Sequence, residues 1–81
     1  MTESVKFLYE SQVEHYESYG IEYATYGIYW NNENRLVPIL HDVTLRTEEA
    51  ERICRLLNKH SLNPEQARYV VEDCVIESYI V

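Results

Sequence analysis

The sequence predicts an α+β fold in which a three-stranded antiparallel sheet packs against an antiparallel pair of helices. The first half alternates apolar and polar residues, as strands do, whereas apolar residues after residue 47 recur at helical spacing. Short polar or glycine-containing segments separate these stretches. The 81 residues suffice for one small domain, 1–81, but not for two separate cores. The predicted strands are about 4–16, 21–30 and 35–40, and the predicted helices are about 48–60 and 64–77.

The first strand is predicted from the alternation that starts at Ser4. Val5, Phe7 and Tyr9 fall on one face, and Lys6, Leu8 and Glu10 fall on the other. Its mixed outer face favours an edge position. A reversal is expected at Glu17–Gly20, where glycine supplies a positive φ if the turn requires one, so the first two strands form a hairpin.

The segment Tyr19–Trp30 is predicted to be the centre of the sheet. It holds four of the eight tyrosines, the single tryptophan and both glycines. Its more apolar face is odd-numbered at the start and even-numbered at the end, which a regular strand does not allow. An extra residue near Thr25 to Gly27, forming a bulge or bend, explains the switch. The alternative is that both faces of this strand are partly buried.

The third strand follows a polar turn at Asn31–Asn34. Pro38 has no backbone N–H, so it places this strand at an edge of the sheet or ends it early. We predict that His41–Arg46 is a connector, anchored to the core by Val43 and Leu45.

The first helix is predicted to have Thr47 as its N-cap, followed by acidic residues that suit the helix dipole. Its buried stripe is Ala50, Ile53, Cys54 and Leu57. In the second helix Asn63 is the cap, Pro64 the first helical residue and Gln66 the partner in a capping box. The second buried set is Ala67, Val70, Val71 and Cys74. The apolar C-terminal extension, 75–81, fits helix continuation somewhat better than an added strand.

Net charge narrows the classes of partner. The formal charge is −7, from 14 acidic and 7 basic side chains. An acidic surface repels nucleic-acid phosphates and anionic lipids, so we expect neither direct nucleic-acid binding nor membrane binding. Two cysteines outside any close-paired motif, with no visible export signal, fit reduced thiols in the cytoplasm.

Several short matches give the chain a resemblance to a known family. They are Tyr26–Ile28, His41–Thr44, Leu56–Asn58 with Leu62–Pro64, and Val70–Asp73. Over about residues 24–75 the sequence resembles a family of small uncharacterised proteins of Gram-positive bacteria, a domain of unknown function. The resemblance implies a strand–strand–helix–helix layout and no activity. The first strand and residues 75–81 depart from it.

No group of residues predicts catalysis, a metal or a cofactor. Cys54 and Cys74 with His41 and His60 lack the close ligand pairs of structural zinc sites, so the cysteines are expected to pack in the core. His41–Asp42 has the composition of a base with an orienting carboxylate, but no nucleophile context accompanies it. The acidic pairs Glu48–Glu49 and Glu72–Asp73 lack the pattern of a calcium loop and are expected to face solvent.

The surplus of tyrosines predicts a binding role, because tyrosine is enriched at protein interfaces. We therefore predict a small acidic cytoplasmic protein-interaction or regulatory module without catalytic activity, able to bind a basic protein surface or to self-associate. The alternative is an inhibitor from a phage or mobile element, resembling anti-CRISPR proteins, that binds a nucleic-acid-handling protein. The candidate partner-binding residues are Glu10, Glu14, Tyr16, Glu17, Tyr19, Glu22 and Tyr23.

Overall fold

A computed structural model describes the backbone of residues 6–80 and the side chains of residues 6–77. It confirms the predicted α+β architecture, a three-stranded antiparallel sheet with two helices. The predicted residues 4 and 5 of the first strand lie outside the described part. The elements are β1 (Leu8–Ser18), β2 (Ile21–Asn32), β3 (Arg35–Thr44), α1 (Thr47–Lys59) and α2 (Pro64–Ile80).

The sheet has the order β1-β2-β3, so β2 is central as predicted. Tyr19 and Gly20 join β1 to β2 with φ values of 53° and 77°, and Glu33 and Asn34 join β2 to β3 with φ values of 51° and 68°. Two consecutive positive φ angles are the mark of the type I′ turn, whose twist matches that of the strands. Both predicted reversals are therefore tight two-residue hairpins.

The predicted face switch in β2 is wrong. β1 pairs with β2 without interruption from Leu8 opposite Asn31 to Ser18 opposite Ile21, so β2 contains no extra residue. The irregularity does lie opposite the predicted position, but its extra residues are in β3, where the register shifts on both sides of Ile28. The alternative interpretation holds instead, because consecutive residues Gly27 and Ile28 are both buried on opposite faces.

β3 is longer than predicted. Pro38 pairs with Tyr29 at the edge of the sheet without ending the strand, and pairing continues to Thr44 opposite Tyr26. An edge strand tolerates proline because its N–H can point away from the ladder. Most of the predicted connector therefore belongs to β3. Val43 is buried as expected, whereas Leu45 is 67% exposed and does not anchor the chain.

The helices cover one side of the sheet, which we call the helix-facing side. Alternation along β1 and β2 places Tyr9 and Ile28 on this side, in the same core cluster as residues of both helices. The predicted stripe of α1 is buried in full, and Ala67 and Val71 are its buried counterparts in α2. Val70 and Cys74 are partly buried against the same cluster. The opposite side of the sheet is called the outer side.

The two helix starts differ from each other. Thr47 is not the N-cap of α1: Arg46 takes that position without a side-chain cap, while the Thr47 hydroxyl lies 2.7 Å from the Tyr26 hydroxyl. The capping box of α2 is confirmed, since the Gln66 N–H donates to Asn63 Oδ1 at 2.9 Å and the Asn63 N–H donates to Gln66 Oε1 at 3.4 Å.

α2 continues through the C-terminal extension. It remains helical to Ile80, so helix continuation is confirmed over residues 75–80, and Val81 lies outside the described residues. Neither helix, over the part of the chain described, combines the length and apolarity needed to cross a membrane.

Tyr9 fastens the edge strand β1 to the helices. Asn58 in α1 accepts from the Tyr9 N–H at 2.7 Å and donates to the Tyr9 carbonyl at 3.1 Å. The Tyr9 hydroxyl donates to the Leu62 carbonyl at 2.5 Å, in the connection between the helices. Burial raises the pKa of this phenol to about 12, so it stays protonated and able to donate. The Asn58 amide thus takes the place of a neighbouring strand.

We predict that Asn58→Ala lowers the free energy of unfolding by about 1–3 kcal/mol, because two backbone groups of Tyr9 lose their partner in a partly buried position. Urea denaturation would measure the loss. Lys59→Ala, at the adjacent exposed position, is the control and should change stability by less than about 0.5 kcal/mol. Equal effects of the two substitutions would contradict this role of Asn58.

Candidate functional site

The end of the β1–β2 hairpin extends beyond the rest of the sheet. β3 pairs with β2 only as far as Tyr26, whereas β1 pairs with β2 up to the turn. We call residues 15–24 the hairpin tip. Every residue of the hairpin tip is exposed except Tyr16, which is half-buried. Its exposed apolar groups include Tyr19 at the turn, 101% exposed, and Ile21, 68% exposed.

An open concavity of about 470 Å³ lies on the hairpin tip. It is lined by three cross-strand pairs, His15 with Ala24, Tyr16 with Tyr23, and Glu17 with Glu22. The rings of Tyr16 and Tyr23 have centroids 5.7 Å apart and are inclined by 31°. By the register, Tyr16 and Tyr23 lie on the outer side with Glu14, whereas Glu17 and Glu22 lie on the opposite side of the hairpin. The tip therefore presents aromatic rings on one side and two exposed carboxylates on the other.

The structure divides the candidate partner-binding residues into two groups. Five of them belong to the hairpin tip: Tyr16, Glu17, Tyr19, Glu22 and Tyr23. Glu10 and Glu14 precede the tip in β1. Glu10 is opposite Tyr29, which also pairs with β3, and Glu14 is opposite Thr25, next to the last residue of β2 that pairs with β3. Glu10 is half-buried, and the Glu14 side chain is only 9% exposed. Glu14 therefore belongs to a different arrangement from the tip.

The Glu14 carboxylate is the centre of a hydrogen-bond network on the outer side. Its Oε1 accepts from the Tyr16 hydroxyl at 2.9 Å and from the Asp42 N–H at 2.8 Å. Its Oε2 accepts from the Tyr29 hydroxyl at 2.5 Å and from His41 Nδ1 at 2.6 Å. These donors come from all three strands. One carboxylate therefore ties β1, β2 and β3 together.

The irregularity of β3 supplies two of these donors. Leu40 pairs with Ile28 and Thr44 with Tyr26, so three residues of β3 lie opposite the single residue Gly27. Asp42 adopts a φ of 52° within this bulge, and its N–H is bonded to Glu14. The extra residues thus bring His41 and the Asp42 amide into contact with a side chain two strands away.

Gly27 makes room for the carboxylate. A Cβ at this position would lie 2.5 Å from Oε2 of Glu14 and 2.7 Å from its Cδ, distances that real Cβ atoms do not show. Glu14 is opposite Thr25 in the register, so Gly27 is its diagonal neighbour on β2. The glycine is therefore required for close approach of a side chain, not for a bulge in its own strand.

The network strongly favours the ionised form of Glu14. Burial of the carboxyl group raises its pKa, but the hydrogen bonds from Tyr29, His41, the Asp42 amide and Tyr16 outweigh this effect and lower the pKa from 4.5 to about 2. The bond to the carboxylate, together with burial, raises the pKa of Tyr29 to about 12. The pKa of Tyr16 is raised mainly by its own bond to Glu14.

His41 is oriented by Glu14 rather than by its neighbour Asp42. Because the carboxylate is ionised and can only accept, Nδ1 of His41 carries the proton of their hydrogen bond. The ring also meets Tyr29 edge to face, with centroids 5.9 Å apart. Hydrogen bonds between a carboxylate and a histidine fix the imidazole tautomer in catalytic and metal sites. Here His41 does not line the concavity described above.

The remaining chemical candidates are placed as follows. Cys54 is buried, which raises the pKa of its thiol to about 11, and burial likewise raises the pKa of the half-buried Cys74. Glu49 and Glu72 pair with arginines of their own helices. Among the described residues no three His, Cys, Asp or Glu side chains are grouped to hold a metal ion.

Sequence reasoning missed the Glu14 network. The sequence alone predicts a partner-binding role for Glu14 and a connector at His41–Arg46, because contacts across two strands depend on the register and on the bulge in β3. One signal was available: Gly27 inside an otherwise bulky strand indicates a close approach by another group. A glycine within a strand is equally typical of a bulge, which is why the sequence does not distinguish the two.

A double-mutant cycle tests the contact between Glu14 and Gly27. We predict that Gly27→Ala lowers the free energy of unfolding by about 1–3 kcal/mol, because the new methyl group displaces the carboxylate from its donors. In a Glu14→Ala background the same substitution should cost little, since nothing remains to be displaced. Urea denaturation of the four proteins measures the coupling. Additive effects would rule out the contact as the reason for the glycine.

Glu14 should also make stability depend on pH. Its folded-state pKa lies below its ordinary value, so its contribution is complete above about pH 4.5 and is lost as the pH falls toward 2. We predict that the stability difference between the native protein and Glu14→Gln shrinks over this interval. Urea denaturation at a series of pH values measures it. Glu51→Gln, at an exposed position, is the control and should show no comparable change.

Comparisons with known proteins identify the family of the chain. Residues 3–77 match the model of a family of unknown function, DUF6514. The match includes the whole predicted first strand and continues to residue 77, so it covers more of the chain than the predicted resemblance over 24–75. Searches of curated proteins and of solved structures gave no significant match. With nearly its whole length matched, this chain belongs to the DUF6514 family.

Proposed function

We propose that this protein is a non-catalytic binding module of the cytoplasm that uses its hairpin tip to bind a basic surface of another protein. The observation that carries the proposal is the extension of the β1–β2 hairpin beyond β3, which leaves nine of the ten tip residues exposed. Exposed aromatic and aliphatic groups at such a projection favour protein contact.

Charge supports a basic partner. From Phe7 to Asn34 the sequence contains no lysine or arginine, so His15 is the basic side chain beside Glu17 and Glu22 along the two strands. Carboxylates of this kind attract a positively charged surface and accelerate association with it. Glu14 is not part of the contact surface, because its carboxylate is already saturated with donors.

The tip is also held in a fixed shape at its base. Tyr16 donates to Glu14 and packs against Tyr23, which couples the concavity to the network that joins the three strands. A surface whose side chains are already ordered loses less entropy on binding. The Glu14 network is therefore assigned a supporting role for the binding surface rather than a catalytic one.

A second candidate gives the same surface a narrower role. If the basic partner is a nucleic-acid-handling protein, acidic groups on the tip would compete with nucleic acid for its binding site, and the module would act as an inhibitor of the anti-CRISPR kind. The pairing of Glu17 with Glu22 across the hairpin favours this second candidate function, since it places two carboxylates side by side. Release of bound nucleic acid from the partner when the module is added would distinguish this candidate function from the first.

We predict that Glu17→Lys with Glu22→Lys abolishes capture of the partner. The tagged module would be used to capture partners from the lysate of a Gram-positive bacterium, as the family resemblance suggests. Each captured protein would be purified and its affinity for the tagged module measured by calorimetry. We expect at least a tenfold weaker affinity for the double variant, because two attractive charges become repulsive.

Glu51→Lys with Asp73→Lys is the matched control, since it changes net charge equally at exposed helix positions. It should bind as the native protein does. If both double variants bind equally, the tip is not the interface. If the native protein captures no partner but self-associates in light scattering, a second copy replaces the basic protein and the proposal fails.

A further inference from the structure

The open backbone edge of the hairpin tip carries a more specific inference, which rests on the proposed function. β2 has a neighbour on one side only at residues 21–25, because β1 continues to the turn whereas β3 stops pairing at Tyr26. After Thr44 the chain leaves the sheet and begins α1 at Thr47. The place beside the tip that a third strand would occupy is therefore vacant among the described residues.

The register shows which backbone groups face this edge. The backbone N–H and carbonyl of Tyr9 both bond to Asn58. The backbone N–H and carbonyl groups of odd-numbered residues of β1 therefore point away from β2. Even-numbered residues of β1 therefore exchange hydrogen bonds with their partners, and these are the odd-numbered residues of β2. It follows that Glu22 and Ala24 direct their backbone groups away from β1. Both residues are exposed.

We propose that a basic, extended peptide segment of the partner adds to the sheet as a short strand along Glu22–Ala24. Residues two apart on a strand present their donors and acceptors at the spacing of an extended chain, which is how exposed edges bind peptides. The peptide occupies the line of β3, beyond Thr44. A segment of about four or five residues fits this length of edge.

The side chains at the edge define the sequence of the segment. A lysine or arginine opposite Glu22 forms a cross-strand ion pair, whereas an acidic residue there is repelled. Ala24 is small and leaves room for a large apolar side chain opposite it. Leu45, 67% exposed, follows the last paired residue of β3 and offers that side chain an apolar neighbour. Alternating basic and apolar residues are therefore favoured.

The test uses an amidated octapeptide of alternating lysine and valine as the probe, with a glutamate–valine peptide as the charge control. In NMR titrations of the full chain we expect the amide signals of Glu22 and Ala24 to shift and their hydrogen exchange to slow at least tenfold. The amides of Tyr23 and Thr25, already bonded to β1, should keep their protection. The glutamate–valine peptide should produce no shift.

Ala24→Pro removes the N–H that faces the edge but none of the bonds between β1 and β2, and it should weaken probe binding at least tenfold. Ala24→Ser keeps the N–H and should bind as the native protein does. Probe binding that survives Ala24→Pro, without slowed exchange at Glu22 and Ala24, overturns strand addition and leaves the proposed function standing. Failure of both the probe and the charge-reversal experiment overturns both. Slowed exchange at these amides that rises with protein concentration alone makes a second copy the occupant and overturns the basic peptide.

Discussion

The ionised carboxylate of Glu14 is the contact that holds the outer side of the sheet together. Its four donors come from β1, β2 and β3, so the bulge of β3 and the regular register of β1 with β2 depend on the same group. A charge that is largely buried needs several strong hydrogen bonds to offset its desolvation. The low pKa of Glu14 shows that these bonds do more than offset it.

Two side chains on opposite faces of β1 hold this strand in place, each through different contacts. Tyr9 lies on the helix-facing side and connects β1 to α1 and to the loop after it through Asn58 and Leu62. Glu14 lies on the outer side and connects β1 to the other strands. Because both anchors precede residue 15, the hairpin tip extends from a fixed base, beyond the last residue of β2 that pairs with β3.

Local patterns were sufficient to predict the order of elements. The stripe around Ile53 and the capping box of Asn63 and Gln66 depend on neighbours within one helix, and both are confirmed. Thr47 failed as a cap because a distant hydroxyl, that of Tyr26, is its partner. The network at Glu14 could not be predicted for the same reason: its donors are 2, 15, 27 and 28 residues away. Only the register brings them together.

The same geometry explains why the acidic character of the first two strands has two different consequences. Glu14 is enclosed by donors and contributes to stability, while Glu17 and Glu22 are three rungs further out, beyond the last residue of β2 that pairs with β3. Their charge is directed to solvent beside an unpaired strand edge. Unpaired edges favour association with other chains, and charge on such an edge selects which chains can approach. The proposed binding at the tip therefore depends on where β3 ends.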